Sequence, residues 1–160
     1  MVNRWFSQRD PAYNRQPIGQ SSCLISAWGC TLVSICNVIL DLLGKEINPG
    51  EASKLWDFTK NGEIIWSGIR FEGLKFLRRA YTAPTHEVAS GAIAGSHRAI
   101  LRLRQNPLHW VYLYRWTSRL IPWFLCVDPY TFNPKTQSAF IVRKWKSSID
   151  GYSLFERTTV

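Results

Sequence analysis

One segment decides our interpretation of this chain: Gly29-Cys30-Thr31-Leu32-Val33-Ser34-Ile35-Cys36-Asn37-Val38-Ile39-Leu40-Asp41-Leu42-Leu43-Gly44. Its apolar residues recur every three to four positions, the spacing of a buried helical face, and Cys36 falls among them. On a helical wheel at about 100° per residue, the polar residues share one narrow stripe: Cys30, Ser34, Asn37 and Asp41. We therefore predict a helix that begins near Cys30 and ends at Gly44, a natural left-handed stop, with Cys36 in the core and Cys30 toward a polar surface.

Cys30 lies in the first turn of this predicted helix, where backbone N–H groups and the helix dipole favour a thiolate. A thiolate there has the chemistry of a nucleophile, which needs a base. The candidate bases are His86, His97 and His109. His109 begins a segment rich in β-favouring residues, so a rigid strand would carry its imidazole. Asp128 follows the next such segment, and across the resulting hairpin it could accept the other ring N–H and hold the tautomer.

The composition bounds the class of protein. With 160 residues, 46% of them hydrophobic and 14% aromatic, the chain predicts one domain with ample core and excludes disorder by composition. The net charge of +9 attracts anionic partners such as nucleic acid, a teichoic-acid-rich cell wall or a membrane surface. The same charge is also common in basic enzymes without any such target.

Metal, disulfide and membrane functions have no support in the sequence. The cysteines Cys23, Cys30, Cys36 and Cys126 form no CxxC pair, and no HxxxH pair occurs, so we predict neither a zinc site nor a cofactor. The segment 1–8 lacks an apolar signal core, and no apolar run approaches the ~20 residues of a membrane span. We therefore expect free thiols in a protein that starts in the cytoplasm of its producer, and that leaves it by release or within a virion.

Helices are predicted before strands along the chain. An arm with turns over 1–22 precedes a strand or turn over 23–28, the helix over 29–44, helices over 48–59 and 67–80, a loop or short strand over 83–90, and a segment over 94–105 for which we favour helix over strand. Strands are predicted over 109–116, 121–127 and 152–157, with a turn at 117–119, and a strand or a strand–helix junction over 139–145. This order predicts an α+β fold. We expect one domain over 1–160, with an N-terminal helical part (29–105) packed on a C-terminal antiparallel sheet (108–157).

Several short motifs together carry a family resemblance. They are Phe6-Ser7-Gln8-Arg9-Asp10-Pro11, Ile18-Gly19, Gly29-Cys30-Thr31-Leu32-Val33-Ser34, Ile47-Asn48-Pro49-Gly50-Glu51, Trp66, His109-Trp110-Val111 and Val127-Asp128-Pro129. In this order they resemble papain-like cysteine peptidases, in particular the double-glycine leader (bacteriocin-processing) peptidases and their small bacterial and phage relatives. The resemblance is diffuse and runs from about 6 to 155.

The resemblance implies a papain-like fold and a catalytic set. By its motifs, Cys30 matches the nucleophile, His109 the base, Asp128 the orienting acid and Gln8 the side-chain donor of the oxyanion hole. Gln20 lies nearer to Cys30 in the sequence and stays an alternative donor. The implied activity is thiol-dependent cleavage of a peptide or amide bond, on peptidoglycan or on a leader-type peptide.

Two departures and one alternative limit this interpretation. The family often has glycine before the catalytic histidine, whereas Leu108 precedes His109 here and would narrow the cleft. No ATP-binding or transporter segment accompanies the motifs, so an export role does not follow.

The alternative is a basic module that binds nucleic acid or peptide, including a catalytically inactive papain-like relative. Its binding face would comprise Arg78, Arg79, Arg102, Arg104, Arg143, Lys144 and Lys146, with Trp145 stacking on bases.

Overall fold

The computed structural model describes residues 4–106, 108–116 and 123–158. These residues form four α-helices and one six-stranded antiparallel sheet, which confirms the predicted α+β class. The helices are α1 (Ile25–Trp28), α2 (Cys30–Leu43), α3 (Pro49–Leu55) and α4 (His86–Ala94). The strands are β1 (Leu74–Ala80), β2 (His97–Leu103), β3 (Trp110–Arg115), β4 (Trp123–Asn133), β5 (Ser138–Trp145) and β6 (Ile149–Arg157), and short 3-10 turns occur at Trp66–Gly68 and Lys146–Ser148.

The sheet is covered by helix on both faces. Its strand order is β1-β6-β2-β3-β4-β5. Successive side chains of a strand point to opposite faces, and β3 shows this clearly. Tyr112 belongs to the apolar cluster that contains α2, whereas Val111 belongs to the cluster that contains Ala89 and Ala92 of α4. Thus α2 lies against one face of the sheet and α4 against the other.

Glycines fix both ends of α2. A Cβ atom at Gly29 would lie 2.5 Å from the carbonyl oxygen of Ile25, so the tight passage from α1 into α2 requires glycine. Gly44 ends the helix in the left-handed conformation, with φ of 65°, as predicted. The predicted burial of Cys36 is also confirmed, because its side chain is fully buried.

The polar stripe of α2 faces the protein interior, so the prediction that it turns Cys30 to a polar surface is wrong. Cys30 is only 7% exposed, and Ser34 and Asn37 are fully buried. Residues four apart on a helix advance by about 6 Å and residues two apart on a strand by about 7 Å. Successive residues of the stripe are therefore spaced much like alternate residues at the start of β3.

Each polar side chain of the stripe has a partner, which makes its burial tolerable. The Ser34 hydroxyl donates to the Trp110 carbonyl oxygen over 3.2 Å. Asn37 accepts from the Phe6 backbone N–H over 2.8 Å and donates to the Phe6 carbonyl oxygen over 3.1 Å. The stripe thus joins α2 both to the sheet and to the N-terminal arm.

Two segments predicted as helix are strands. The segment 67–80 contains β1, which pairs with β6, and the segment 94–105 contains β2, which lies between β6 and β3. Hydrogen bonds to neighbouring strands outweigh the local pattern in both segments. The predicted helical part over 29–105 therefore supplies two strands of the sheet.

Three other boundaries differ from the sequence prediction. The segment 23–28 forms α1 rather than a strand or turn. The segment 83–90 contains the start of α4, where the Thr85 side chain caps the helix by accepting from the Val88 N–H. The capping of α3 by Asn48 is confirmed, but this helix ends at Leu55 instead of about 59.

The remaining strands confirm the prediction for the C-terminal part. β3, β5 and β6 lie where strands were expected, and β4 continues past Asp128 to Asn133. The predicted turn at 117–119 lies outside the described residues. In the part of the chain that the structure describes, no helix is both long and apolar enough to cross a membrane.

Candidate active site

His109 and Asp128 lie at the same end of the β3–β4 strand pair. His109 immediately precedes β3, and the pairing of Tyr112 with Val127 brings Asp128 toward it, because the two strands are antiparallel. His109 Nε2 lies 2.8 Å from Asp128 Oδ1, and the two side chains are only 13% and 9% exposed. The structure thus brings together the residues that the sequence indicated as base and orienting acid.

The second carboxylate oxygen of Asp128 is also occupied. Lys144 Nζ on β5 lies 3.0 Å from Asp128 Oδ2, and the Tyr130 backbone N–H donates to Oδ1 over 3.1 Å. Burial raises the pKa of Asp128, but the hydrogen bond and charge of His109, together with Lys144, outweigh it and lower the pKa to about 2. Asp128 is therefore held as a carboxylate.

Cys30 occupies the first position of α2, beside the base. Its thiol donates to the carbonyl oxygen of Leu108 over 3.1 Å, and Leu108 is the residue directly before His109. The first N–H groups of a helix have no acceptor within the helix, so the thiol lies beside backbone donors. The Leu108 carbonyl group therefore links the candidate nucleophile to the candidate base, because it accepts from the Cys30 thiol and is bonded to the His109 backbone nitrogen.

The His109 ring interacts with both neighbours. Burial lowers the pKa of His109, but hydrogen bonds and charge interactions with Asp128 and Cys30 outweigh it and raise the pKa to about 9. Because Nε2 is bonded to Asp128, Nδ1 is the nitrogen that remains for Cys30. The raised pKa favours the imidazolium form of the ring, which lies between the Cys30 sulfur and the Asp128 carboxylate.

Gln8 connects the two sides of this site. Its side chain is buried, its backbone N–H donates to the Pro129 carbonyl oxygen over 2.8 Å, and its Nε2 donates to the Ser26 carbonyl oxygen over 2.7 Å. Pro129 follows Asp128, and Ser26 lies in α1, four residues before Cys30. The alternative donor, Gln20, has an exposed side chain.

A groove of about 580 Å³ opens beside the site. Thr31 and Leu108, which line it, are the chain neighbours of Cys30 and His109. The Leu108 side chain is 63% exposed, so it forms part of the rim. About half of the other lining residues are aromatic or aliphatic, namely Ile18, Trp28, Leu32, Phe58, Ile64, Trp66 and Trp110. An extended, partly apolar ligand would fit this groove.

The other three cysteines differ from Cys30 in their surroundings. Cys36 and Cys126 are fully buried, and burial raises the pKa of both thiols far above the ordinary range. Cys23 is partly exposed, and its thiol donates to the Asn61 carbonyl oxygen over 3.3 Å. None of these three thiols has a histidine neighbour among the hydrogen bonds of the described residues.

Sequence reasoning did not assign Lys144 to this site. It appeared only as one member of a basic face, because its contact with Asp128 depends on the pairing of β4 with β5. Another member of that face is also neutralised, since Arg102 Nε lies 2.9 Å from Asp150 Oδ1. Within the described residues, no three histidine, cysteine or acidic side chains come together in a way that could hold a metal ion.

Comparisons of the chain with protein-family models, with curated proteins and with solved structures find no match.

Proposed function

We propose that the protein is a thiol-dependent hydrolase of peptide or amide bonds, with a papain-like arrangement of its catalytic groups. One observation carries the proposal: the His109 imidazole lies between a thiol at a helix N-terminus and a buried carboxylate. A nucleophile, a base and a group that orients the base are the three components of nucleophilic acyl transfer. Their order along the chain, Cys30, His109 and Asp128, agrees with the family resemblance of the sequence.

In the first half of the proposed reaction, Cys30 is acylated. Cys30 reacts as a thiolate stabilised by the His109 imidazolium, and its sulfur attacks the carbonyl carbon of the scissile bond. The resulting tetrahedral intermediate collapses as the carbon–nitrogen bond breaks. The imidazolium gives its proton to the departing amine, which leaves a thioester on Cys30.

In the second half, water replaces the amine. His109 takes a proton from the water, whose oxygen attacks the thioester carbon. The carbon–sulfur bond then breaks, a carboxylic acid is released, and the proton taken from water stays on His109 beside the Cys30 thiolate. Asp128 stays ionised throughout and holds the ring by its Nε2–H.

The oxyanion of each tetrahedral intermediate needs hydrogen-bond donors. The Cys30 backbone N–H at the start of α2 is one candidate, and the Nε2 amide of Gln8 is the other, as the resemblance implies. Gln8 is buried and anchored to both α1 and β4, so its amide is positioned before substrate binds. A preorganised donor of this kind contributes roughly 3 kcal/mol of transition-state stabilisation.

The reactivity of Cys30 tests the proposal. Protein is treated with limiting iodoacetamide, and alkylation of each cysteine is followed by mass spectrometry. Cys23 is the informative internal control, because it is partly exposed whereas Cys30 is 7% exposed. The proposal predicts that Cys30 reacts first and that His109→Ala slows it by about tenfold or more. Alkylation in order of exposure, with Cys23 first, would contradict it.

Turnover is tested separately, with the wild-type protein and Cys30→Ala compared on a mixed peptide digest and on purified peptidoglycan. New termini that require Cys30 would identify the class of substrate. A reactive Cys30 that produces no new termini in either mixture would instead favour an inactive relative that only binds peptide.

A further inference from the structure

Arg79 is the charged residue in the groove that the proposed reaction does not use. It lies on β1, and its side chain lines the groove together with Trp66 and Trp110. The same groove reaches Thr31 and Leu108, which adjoin Cys30 and His109. A ligand bound along the groove would therefore contact Arg79 and the chain neighbours of Cys30 and His109.

The Arg79 guanidinium is held by aromatic rings rather than by an acid. Its central carbon lies 4.7 Å from the ring centre of Tyr81, 5.1 Å from that of Trp110 and 5.3 Å from that of Trp66. Its Nε is buried and has no hydrogen-bond partner within the part of the chain that the structure describes. Among the described residues, no carboxylate lies within 4.0 Å of the Arg79 guanidinium.

Two other charged residues line the same groove, Lys60 and Glu63. Both are exposed, and their opposite charges offset each other. Among the described residues that line the groove, the positive charge that remains is therefore that of Arg79. A cation stacked on aromatic rings keeps its planar donors available for a further partner.

We propose that Arg79 is a specificity-determining residue that binds a carboxylate of the substrate in the groove. The inference rests on the proposed function, because it takes the groove to be the substrate site. A carboxylate matches the planar guanidinium and would add charge-assisted hydrogen bonds. The apolar walls would hold an aliphatic side chain next to it. The predicted substrate class is thus an acidic peptide, with its carboxylate either on a side chain or at a free C-terminus.

Protection of Cys30 from iodoacetamide by three matched peptides tests this inference. Acetyl-Leu-Glu-Leu amide carries a side-chain carboxylate, acetyl-Leu-Gln-Leu free acid carries a terminal one, and acetyl-Leu-Gln-Leu amide carries neither. We expect one of the two acids to protect at a concentration about tenfold lower than the neutral amide, and this advantage to shrink at high salt. The acid that protects identifies the source of the carboxylate.

Two variants test whether Arg79 causes the stronger protection by the acid peptide. Arg79→Met keeps the apolar stem and should abolish the advantage of the acid over the neutral amide. Arg79→Lys keeps the charge and should retain part of the advantage. The matched control is Arg78→Met on the same strand, since Arg78 is exposed and packs over the Tyr152 ring instead.

Two outcomes would overturn the inference: equal protection by all three peptides, and an acid advantage that survives in Arg79→Met. A different result would contradict the proposed function. If Cys30 is no more reactive than Cys23, the hydrolase proposal fails, while the comparison of peptides still shows whether Arg79 selects a carboxylate.

Discussion

His109 Nε2 and Asp128 Oδ1 lie 2.8 Å apart, although 19 positions separate the two residues in the chain. Their contact is buried, and Lys144 holds the second oxygen of the same carboxylate. The ring therefore cannot turn Nε2 away without breaking a charge-assisted hydrogen bond. This contact contributes to the shifted pKa values of both residues.

Removing the charge of Asp128 should lower the pKa of His109. In Asp128→Asn, burial would act without its compensating carboxylate, so we expect the pKa to fall from about 9 by at least about two units. NMR titration of the imidazole C–H signals, assigned with His109→Gln, measures the change. Glu156→Gln is the matched control, because Glu156 lies 3.5 Å from His97. That variant should leave the His109 titration unchanged.

The same pair should make stability depend on pH in a defined window. The pKa of His109 is raised to about 9, so its contribution is complete below its ordinary value of 6.5 and is lost as the pH rises through 9. The pKa of Asp128 is lowered to about 2, so its contribution is complete above 3.8 and is lost as the pH falls through 2. The destabilisation of Asp128→Asn should therefore peak at about 2 kcal/mol between these ordinary values. Urea unfolding at intervals from pH 3 to 10 measures it, and a pH-independent difference would contradict the prediction.

Lys144 should act on the site through Asp128. Without its charge, the carboxylate loses one of the groups that lower its pKa, so Lys144→Met should raise the pKa of Asp128 by about one unit. Titration of the Asp128 carboxyl carbon by NMR gives the value. Lys144→Arg should preserve the low pKa, and Lys146→Met serves as control, since Lys146 packs over Trp116. An unchanged titration in Lys144→Met would show that the ion pair has no effect.

Gln8 should affect turnover without affecting the reactivity of the thiol. If its amide binds the oxyanion, Gln8→Ala should slow peptide hydrolysis about a hundredfold, while iodoacetamide still alkylates Cys30 at nearly the wild-type rate. Gln20→Ala should change neither rate, because Gln20 is exposed. Equal losses in both assays for Gln8→Ala would indicate a structural role instead.

Asn37 should be needed to hold the N-terminal arm. It is fully buried and makes two hydrogen bonds with the Phe6 backbone. Replacement by alanine leaves those backbone groups without partners and should lower the free energy of unfolding by about 2–4 kcal/mol. Urea unfolding measures the loss. The exposed Asn61→Ala is the comparison and should be close to neutral.

The sequence predicted α2 well because its signals are local. The apolar spacing between Gly29 and Gly44 is a property of consecutive residues, and glycine is required at both ends. The burial of the polar stripe was not predictable in the same way. Its partners include Phe6 and Trp110, which lie far from α2 in the chain.

The segments that form β1 and β2 were predicted as helix, because the local sequence pattern of neither one clearly indicates a strand. The pairing of β1 with β6 shifts register between Phe76 and Arg78, which interrupts the alternation expected of a strand. In β2, apolar and basic residues such as Arg98 and Arg102 alternate, a pattern for which both helix and strand were considered and helix was favoured. In the fold these two arginines form ion pairs with Asp41 and Asp150, both distant in the sequence.

The candidate site was predictable only in part. Cys30, His109 and Asp128 could be selected because each occupies a recognisable place: a helix start, a strand start and the end of an apolar run. Lys144 has no such local signal, and its contact depends on how β5 pairs with β4.

The contact between Cys30 and Leu108 joins residues 78 positions apart. Ribosomes add about 5–20 residues per second, so the thiol is synthesised seconds before the base beside it. The last strand, β6, then inserts between β1 and β2, and the sheet is complete only when nearly the whole chain has been made. Cys30 and the proposed base can therefore meet in the complete sheet only after most of the strands have been synthesised.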